Sequence, residues 1–216
     1  MIANLFVVKK SNKYGQNGLF ATQFIPKGTF IDFRCKKCKV YTKTDLAKLT
    51  EKKRQFIVTH EVMTDENGTY TKFCDKRQLY DNHSCNANVL NAHILGHDTN
   101  GGIEIAIRDI KNGEEVTTDY RLNDGETVHF IGGCKCGAKN CMKNTTFKPP
   151  PTKKLQKFWS VKINSALRLV STVDQPLKKQ ILREHQDLNY IFEYPKQVKV
   201  QSDTIKTIKS KRKQNQ

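Results

Sequence analysis

"DNHSCNANV", residues 81–89, decides how the chain is read. Carboxamides, an imidazole, a hydroxyl and a thiol stand side by side, just before the apolar run that begins at Val89. A lone histidine in such a place is ordinarily a satisfied core residue. So many hydrogen-bonding and metal-ligating groups in nine residues call for a site instead.

Bulk properties narrow the options. The 216 residues can bury one good-sized core, and 37% of them are hydrophobic. No apolar run reaches the roughly 18 residues a membrane span needs. The opening "MIANLFVVKK" has an apolar stretch only from Leu5 to Val8, too short for a signal peptide. A reducing compartment is therefore expected, where the seven cysteines serve as thiols or metal ligands. Charge is uneven. Residues 148–216 carry 16 Lys and Arg against 5 Asp and Glu, which is +11 of the net +17. That asymmetry points to an anionic partner or to a solvated lysine-rich tail.

Short β-like runs fill the first part: 5–8, 18–21, 29–33, 56–63, 69–73, 88–94, 102–107 and 114–120. Asn67-Gly68 between two of them is a type I′ hairpin signal. One helix is predicted over 44–56, capped by Thr44, with Leu46, Leu49 and Phe56 on its apolar stripe. The chain changes character at "KPPPTKK", which reads as a linker. Beyond it, Leu155, Trp159, Ile163, Ala166, Leu167 and Val170 share one helical face. Leu177, Ile181, His185, Leu188 and Phe192 share another, ended by Pro195. The last segment, "KTIKSKRKQNQ", has no periodicity and is expected to be disordered.

"CKCGAKNC" supplies Cys134, Cys136 and Cys141, three thiols within eight residues and a glycine to turn the chain. Tetrahedral zinc fits that set, but it needs a fourth ligand. The candidates are Cys85, the Cys35/Cys38 pair of "CKKC", and Cys74.

Taken in order, "YGQNGLFATQFIPKGTFI", "NHSC", "AIRDIKNGEEVTTDY" and the C-x-C-x4-C motif resemble the SET-domain protein lysine methyltransferases with a cysteine-rich post-SET segment. The resemblance covers roughly residues 4–145. It implies a β-rich α+β fold: small twisted sheets with a pseudoknot, in which the "NHSC" segment and the strand ending in Asp119-Tyr120 pass one another. The domains expected are a SET domain over 1–122, a post-SET zinc segment over 123–147, and a basic extension over 148–216 with two helices and a disordered tail.

The resemblance also implies a site. Tyr120 matches the catalytic tyrosine, whose hydroxyl orients the substrate amine. Asn82 and His83 match residues that hold S-adenosylmethionine. Asn17, Gly18 and Leu19 match the backbone that contacts the methionine end of that cosubstrate. Cys85 matches the remote fourth zinc ligand beside Cys134, Cys136 and Cys141. Asn88 matches a structural asparagine, and Phe33 and Thr118 fall at substrate-channel positions.

Several positions depart from the family pattern. Gly15 and Gly18 are three apart where Gly-x-Gly is usual, and Ala87 replaces a proline. Asp81 stands where an apolar residue is common, Phe33 where a tyrosine often sits, and Thr118 where Tyr or Phe is usual. None of these removes Tyr120, Asn82 or His83.

The expected partner is a protein substrate, a histone or another lysine-rich protein, with nucleic-acid contact through the basic tail and no membrane. The address is the nucleus in a eukaryote, and otherwise intracellular or inside a host cell. The rival reading is a basic, zinc-containing nucleic-acid-binding or scaffold protein without catalysis. No nucleic-acid-binding motif supports it, and the aromatics are not interleaved with the basic run.

Overall fold

The computed structural model describes residues 1–35, 38–60, 62–63, 69–94, 102–122, 128–129, 132–143, 146–147 and 151–200, without the side chains of 59, 60, 62, 63, 71, 128 and 129. Asn67-Gly68 and the "KTIKSKRKQNQ" tail lie outside the described residues, as does most of the proline run at 149–151.

Strands dominate the first part. β1 (Phe6–Lys10) and β2 (Asn17–Ala21) form an antiparallel hairpin, followed by β3 (Phe30–Phe33) and β4 (Val40–Tyr41). Two helices come next, α1 (Lys43–Ala47) and α2 (Glu51–His60). Then come β5 (Val62–Met63), β6 (Tyr70–Thr71), β7 (Asn82–His83), β8 (Val89–Ala92), β9 (Ile103–Ala106) and β10 (Glu115–Thr118). β11 (Val128–His129) pairs with β12 (Thr146–Phe147), and the chain continues into α3 (Lys153–Leu167), α4 (Lys178–Glu184) and α5 (Asn189–Glu193).

The sheets are small, ordered β1-β2-β10-β7, β3-β9-β8 and β4-β6-β5. Among the described residues, all strand pairings are antiparallel except one. β10 runs parallel to β7, with Thr117 opposite Asn82 and Thr118 opposite His83. The "NHSC" segment and the Asp-Tyr strand therefore do lie side by side. Asn88 fastens them. Its amide donates to the Glu115 carbonyl at 2.8 Å, and its Oδ1 accepts the Thr117 N–H at 2.8 Å.

Three local expectations fail. The single helix expected from Leu177 to Phe192 is instead α4 and α5, separated by the helical turn Gln186–Leu188. The helix over 44–56 is two helices, and its cap is Thr42. Thr42 and Asp45 form a reciprocal capping box, which satisfies two otherwise orphaned N–H groups two residues earlier than Thr44 could. The run 56–63 is not one strand. Residues 56–60 continue α2, and only Val62–Met63 are strand. The β-branched residues there gave a strand signal, but the helix buries Ile57 and leaves Phe56 and Val58 at the surface, each 48% exposed. Phe56 is thus not on the apolar stripe.

The C-terminal helices share the core of the sheets. Trp159, Ile163, Ala166, Leu167, Val170, Leu177, Ile181, Leu188 and Phe192 are all buried in one cluster with Phe30, Ile31, Phe33, Ile103 and Ile105. Gly28, at φ +97°, lies so close to this layer that a Cβ would come within 2.9 Å of the Leu169 Cβ. The Gln175 side chain donates to the Gly28 carbonyl at 2.8 Å and accepts the Phe30 N–H at 3.0 Å, covering the edge of β3. Packing continues past Pro195, since Val198 and Val200 are buried and Val200 bridges Ile94. None of the described helices is long and apolar enough to cross a membrane.

Candidate active site and cysteine clusters

β7 and the end of β10 position the chemistry. Tyr120 follows Thr118 by two residues, where the chain leaves the ladder in a short helical turn, Tyr120–Leu122. Its backbone N–H donates to His83 Nδ1 at 3.2 Å, and its hydroxyl donates to the Asp81 carbonyl at 2.8 Å. The rings of His83 and Tyr120 lie 5.4 Å apart. Burial keeps the Tyr120 hydroxyl far above its ordinary range, with Asp81, Glu104 and Tyr14 adding to the effect. The phenol is neutral and works as a hydrogen-bonding group.

His83 is buried, and burial lowers its pKa to about 4 despite Asp119 Oδ1 at 3.7 Å from Nδ1. A neutral ring whose Nδ1 accepts from Tyr120 carries its proton on Nε2, which faces Cys85 Sγ at 3.4 Å. The imidazole thus joins the tyrosine to the cysteine cluster. Its carbonyl accepts the Tyr14 hydroxyl at 2.7 Å.

β2 and β10 separate beyond the Leu19–Val116 pair, because β10 turns to β7 there. Side chains fill the gap. Asn82 Nδ2 donates to the Asn17 carbonyl at 3.1 Å and to Glu115 Oε1 at 2.8 Å, while Gln16 donates to Asn82 Oδ1 at 2.7 Å. Ser11 holds the other Glu115 oxygen at 2.9 Å. Gly18 is required by close approach: a Cβ would stand 2.3 Å from Glu115 Oε1 and 3.0 Å from Asn82 Nδ2. Asn17 is exposed and the Leu19 side chain is core, so these two offer a ligand backbone and little else. An open cleft of about 280 Å³ lies where the glycine loop, the "NHSC" segment and the cysteine segment meet, with Lys13, Ser84, Glu115, Thr117, Cys136 and Ala138 in its walls.

Phe33 is buried against His185, ring centroids 6.2 Å apart, and Thr118 is buried beside His83 in the parallel ladder. Two carboxyls, Asp81 and Glu104, act on the Tyr120 hydroxyl, and a third, Asp32, interacts with both of them. Asp32 and Glu104 face each other across β3 and β9, and Asp81 interacts with both. Burial raises the Asp32 carboxyl to about 6 and holds Asp81 and Glu104 well above the usual range, each repelled by its neighbours. Glu104 and Tyr14 were not singled out in the sequence. Glu104 alternates with core residues in "GIEIAI" like any polar strand residue, and Tyr14 has only its place before Gly15 as a signal.

The sulfurs of Cys85, Cys134, Cys136 and Cys141 lie within 4.8 Å of one another. Of the fourth-ligand candidates, Cys85 is the one brought to this group. Cys85 N–H and Ala138 N–H both point at Cys136, whose thiol is lowered to about 7: burial pushes it up, and those N–H groups outweigh it. Burial pushes Cys85 up to about 11. Four converging sulfurs fit a tetrahedral soft cation such as zinc. Cys35, Cys38 and Cys74 gather separately, within 4.8 Å of one another.

Residues 16–121 match the family model of the SET domain. A curated relative, histone-lysine N-methyltransferase set9 of Emericella nidulans, is 29% identical over 140 residues, which is 63% of this chain and 20% of that protein. The chain spans about a fifth of the length of that relative. Matched sequence, small sheets and the parallel passage of β7 beside β10 together make residues 16–121 a SET domain.

Proposed function

We propose that the chain is a protein-lysine N-methyltransferase that moves a methyl group from S-adenosylmethionine to a lysine amine. The observation that carries this reading is the double hold on Tyr120, by the Asp81 carbonyl on its hydroxyl and by His83 on its backbone. It fixes a neutral phenol beside the Asn82–His83 strand.

The reaction is an in-line displacement at a sulfonium methyl. The amine must be neutral, yet a free lysine titrates near about 10.4. The sulfonium's positive charge and burial both disfavour the ammonium, and the proton leaves to water. The rest is positioning of amine, methyl carbon and sulfur in line. Tyr120 orients the amine. Asn82, His83 and the backbone at Asn17, Gly18 and Leu19 hold the cosubstrate, and Phe33 and Thr118 shape the lysine channel. Cys85, Cys134, Cys136 and Cys141 would hold a zinc ion, which would tie the cysteine segment to the "NHSC" segment.

A histone substrate, and a nuclear address with it, follows from the name of the fungal relative and is part of the proposal. So is nucleic-acid contact through the basic residues beyond Val200. The test is incubation with labelled S-adenosylmethionine, nucleosomes and a cell lysate, followed by mass spectrometry of methylated lysines. Methyl-lysine in any protein supports the assignment. Failure to bind S-adenosylmethionine by calorimetry would overturn it in favour of a non-catalytic basic module.

A further inference from the structure

We propose that Cys35, Cys38 and Cys74 form a second thiolate site for a zinc-class cation, which clasps the neck of the segment between β3 and β7. Cys35 Sγ lies 2.9 Å from the sulfurs of both Cys38 and Cys74. Cys38 and Cys74 are themselves joined as a disulfide, with Cα atoms 5.5 Å apart and 36 residues between them in sequence. A disulfide needs two cysteines. A third sulfur in contact with both describes a three-ligand site.

The local chain is built for it. Cys35 and Cys38 stand in C-x2-C spacing, and the Cys38 N–H donates to the Cys35 carbonyl at 3.2 Å. Cys74 comes from the far side of the segment. The Lys72 N–H donates to the Lys39 carbonyl at 2.8 Å, extending the β4–β6 ladder towards the three sulfurs. Cys35 and Cys38 are buried and Cys74 is exposed, so the fourth coordination position opens to solvent. Lys39 and Lys72 flank the ligands and offset the net negative charge of three thiolates on a divalent ion.

Position gives the site its consequence. Cys35 is two residues beyond β3, which carries Asp32 and Phe33. Cys74 precedes the helical turn Lys76–Tyr80 that leads into Asp81. Closing this neck removes loop entropy from the chain between its ligands. It also steadies the chain on either side of Asp81, whose carbonyl holds the Tyr120 hydroxyl.

Metal and disulfide are alternatives. Two-electron, two-proton reduction of the disulfide by a glutathione-class thiol or dithiol returns Cys38 and Cys74 to thiols. The three thiols then release three protons to solvent as the cation binds. The experiment is elemental analysis of the full chain purified with reductant and zinc, in wild type, Cys134→Ser, Cys35→Ser and Cys74→Ser. Two zinc ions per chain are expected in wild type and one in each variant. Cys74 is exposed, so Cys74→Ser keeps the test open if Cys35→Ser fails to fold. Cobalt loading should show thiolate charge-transfer absorption that falls by about half in Cys74→Ser. One ion per wild-type chain, or two ions retained in Cys74→Ser, overturns the proposal.

Discussion

The carboxylate of Asp119 accepts the indole N–H of Trp159 at 3.0 Å, both side chains fully buried. The same carboxylate holds Arg121, at 2.6 Å and 2.8 Å, and lies beside His83. The residue next to the candidate catalytic tyrosine is therefore anchored by the C-terminal helix α3.

Trp159→Phe keeps most of the packing and deletes that donor. Losing a buried hydrogen bond to a charged group costs about 1–3 kcal/mol. The melting temperature should fall by several degrees, and turnover should fall with it because Asp119 and His83 lose their orientation. Unchanged stability in thermal denaturation would show that the bond contributes nothing.

Tyr120→Phe removes the hydroxyl bound to the Asp81 carbonyl. The rate should drop by at least about tenfold, while calorimetry gives nearly normal S-adenosylmethionine affinity, because the nucleoside is held elsewhere. Equal turnover by wild type and variant would remove Tyr120 from the reaction.

Gly18→Ala puts a methyl group against Glu115, which holds both Ser11 and Asn82. Glu115 must move, and Asn82 loses a partner. Cosubstrate affinity should weaken about tenfold or more with little loss of stability. An affinity equal to wild type would place the cosubstrate away from this loop.

Cys134→Ser takes one sulfur from the four-cysteine group. It should lose a zinc ion and most activity, leaving the sheets folded by circular dichroism. Retained zinc in Cys134→Ser together with loss in Cys38→Ser would assign the structural ion to the other cluster.

Burial raises the Asp32 carboxyl from 3.8 to about 6, against the pull of the α-amino group and Gln78. Between those values the Asp32 carboxyl binds more protons in the folded chain than in the unfolded one. Its contribution to stability therefore falls as pH rises through the window and is complete only below it. Asp32→Asn should flatten the pH dependence of denaturant unfolding between about 4 and 6, by up to about 3 kcal/mol. An identical slope in both proteins would rule Asp32 out as the source.

The basic tail must be removed beyond Val200, since Val198 and Val200 are core residues. Truncation there should raise the Michaelis constant on nucleosomes and leave a free peptide unaffected. The difference should shrink as salt rises. Loss of peptide activity at every salt concentration would make 201–216 part of the catalytic unit.

The sequence by itself determined the ordered motifs. "NHSC", the Asp119-Tyr120 pair and the C-x-C-x4-C run are short, and their chemistry is local, so their meaning survives without coordinates. The helical faces at Trp159 and Ile181 were legible for the same reason, since periodicity is a local property. The tertiary structure alone decided the rest. Residues 56–60 became helix because burying Ile57 outweighed a weak local β preference. Cys85 lies 49 residues from Cys134, and Cys35 and Cys74 are 39 apart, so no spacing rule could sort seven thiols into two groups. Glu104 and Asp32 meet only because β3 pairs with β9, and Trp159 reaches Asp119 only because α3 lies across the sheets. Such contacts depend on how distant elements pack against one another, and no local pattern in the chain records that.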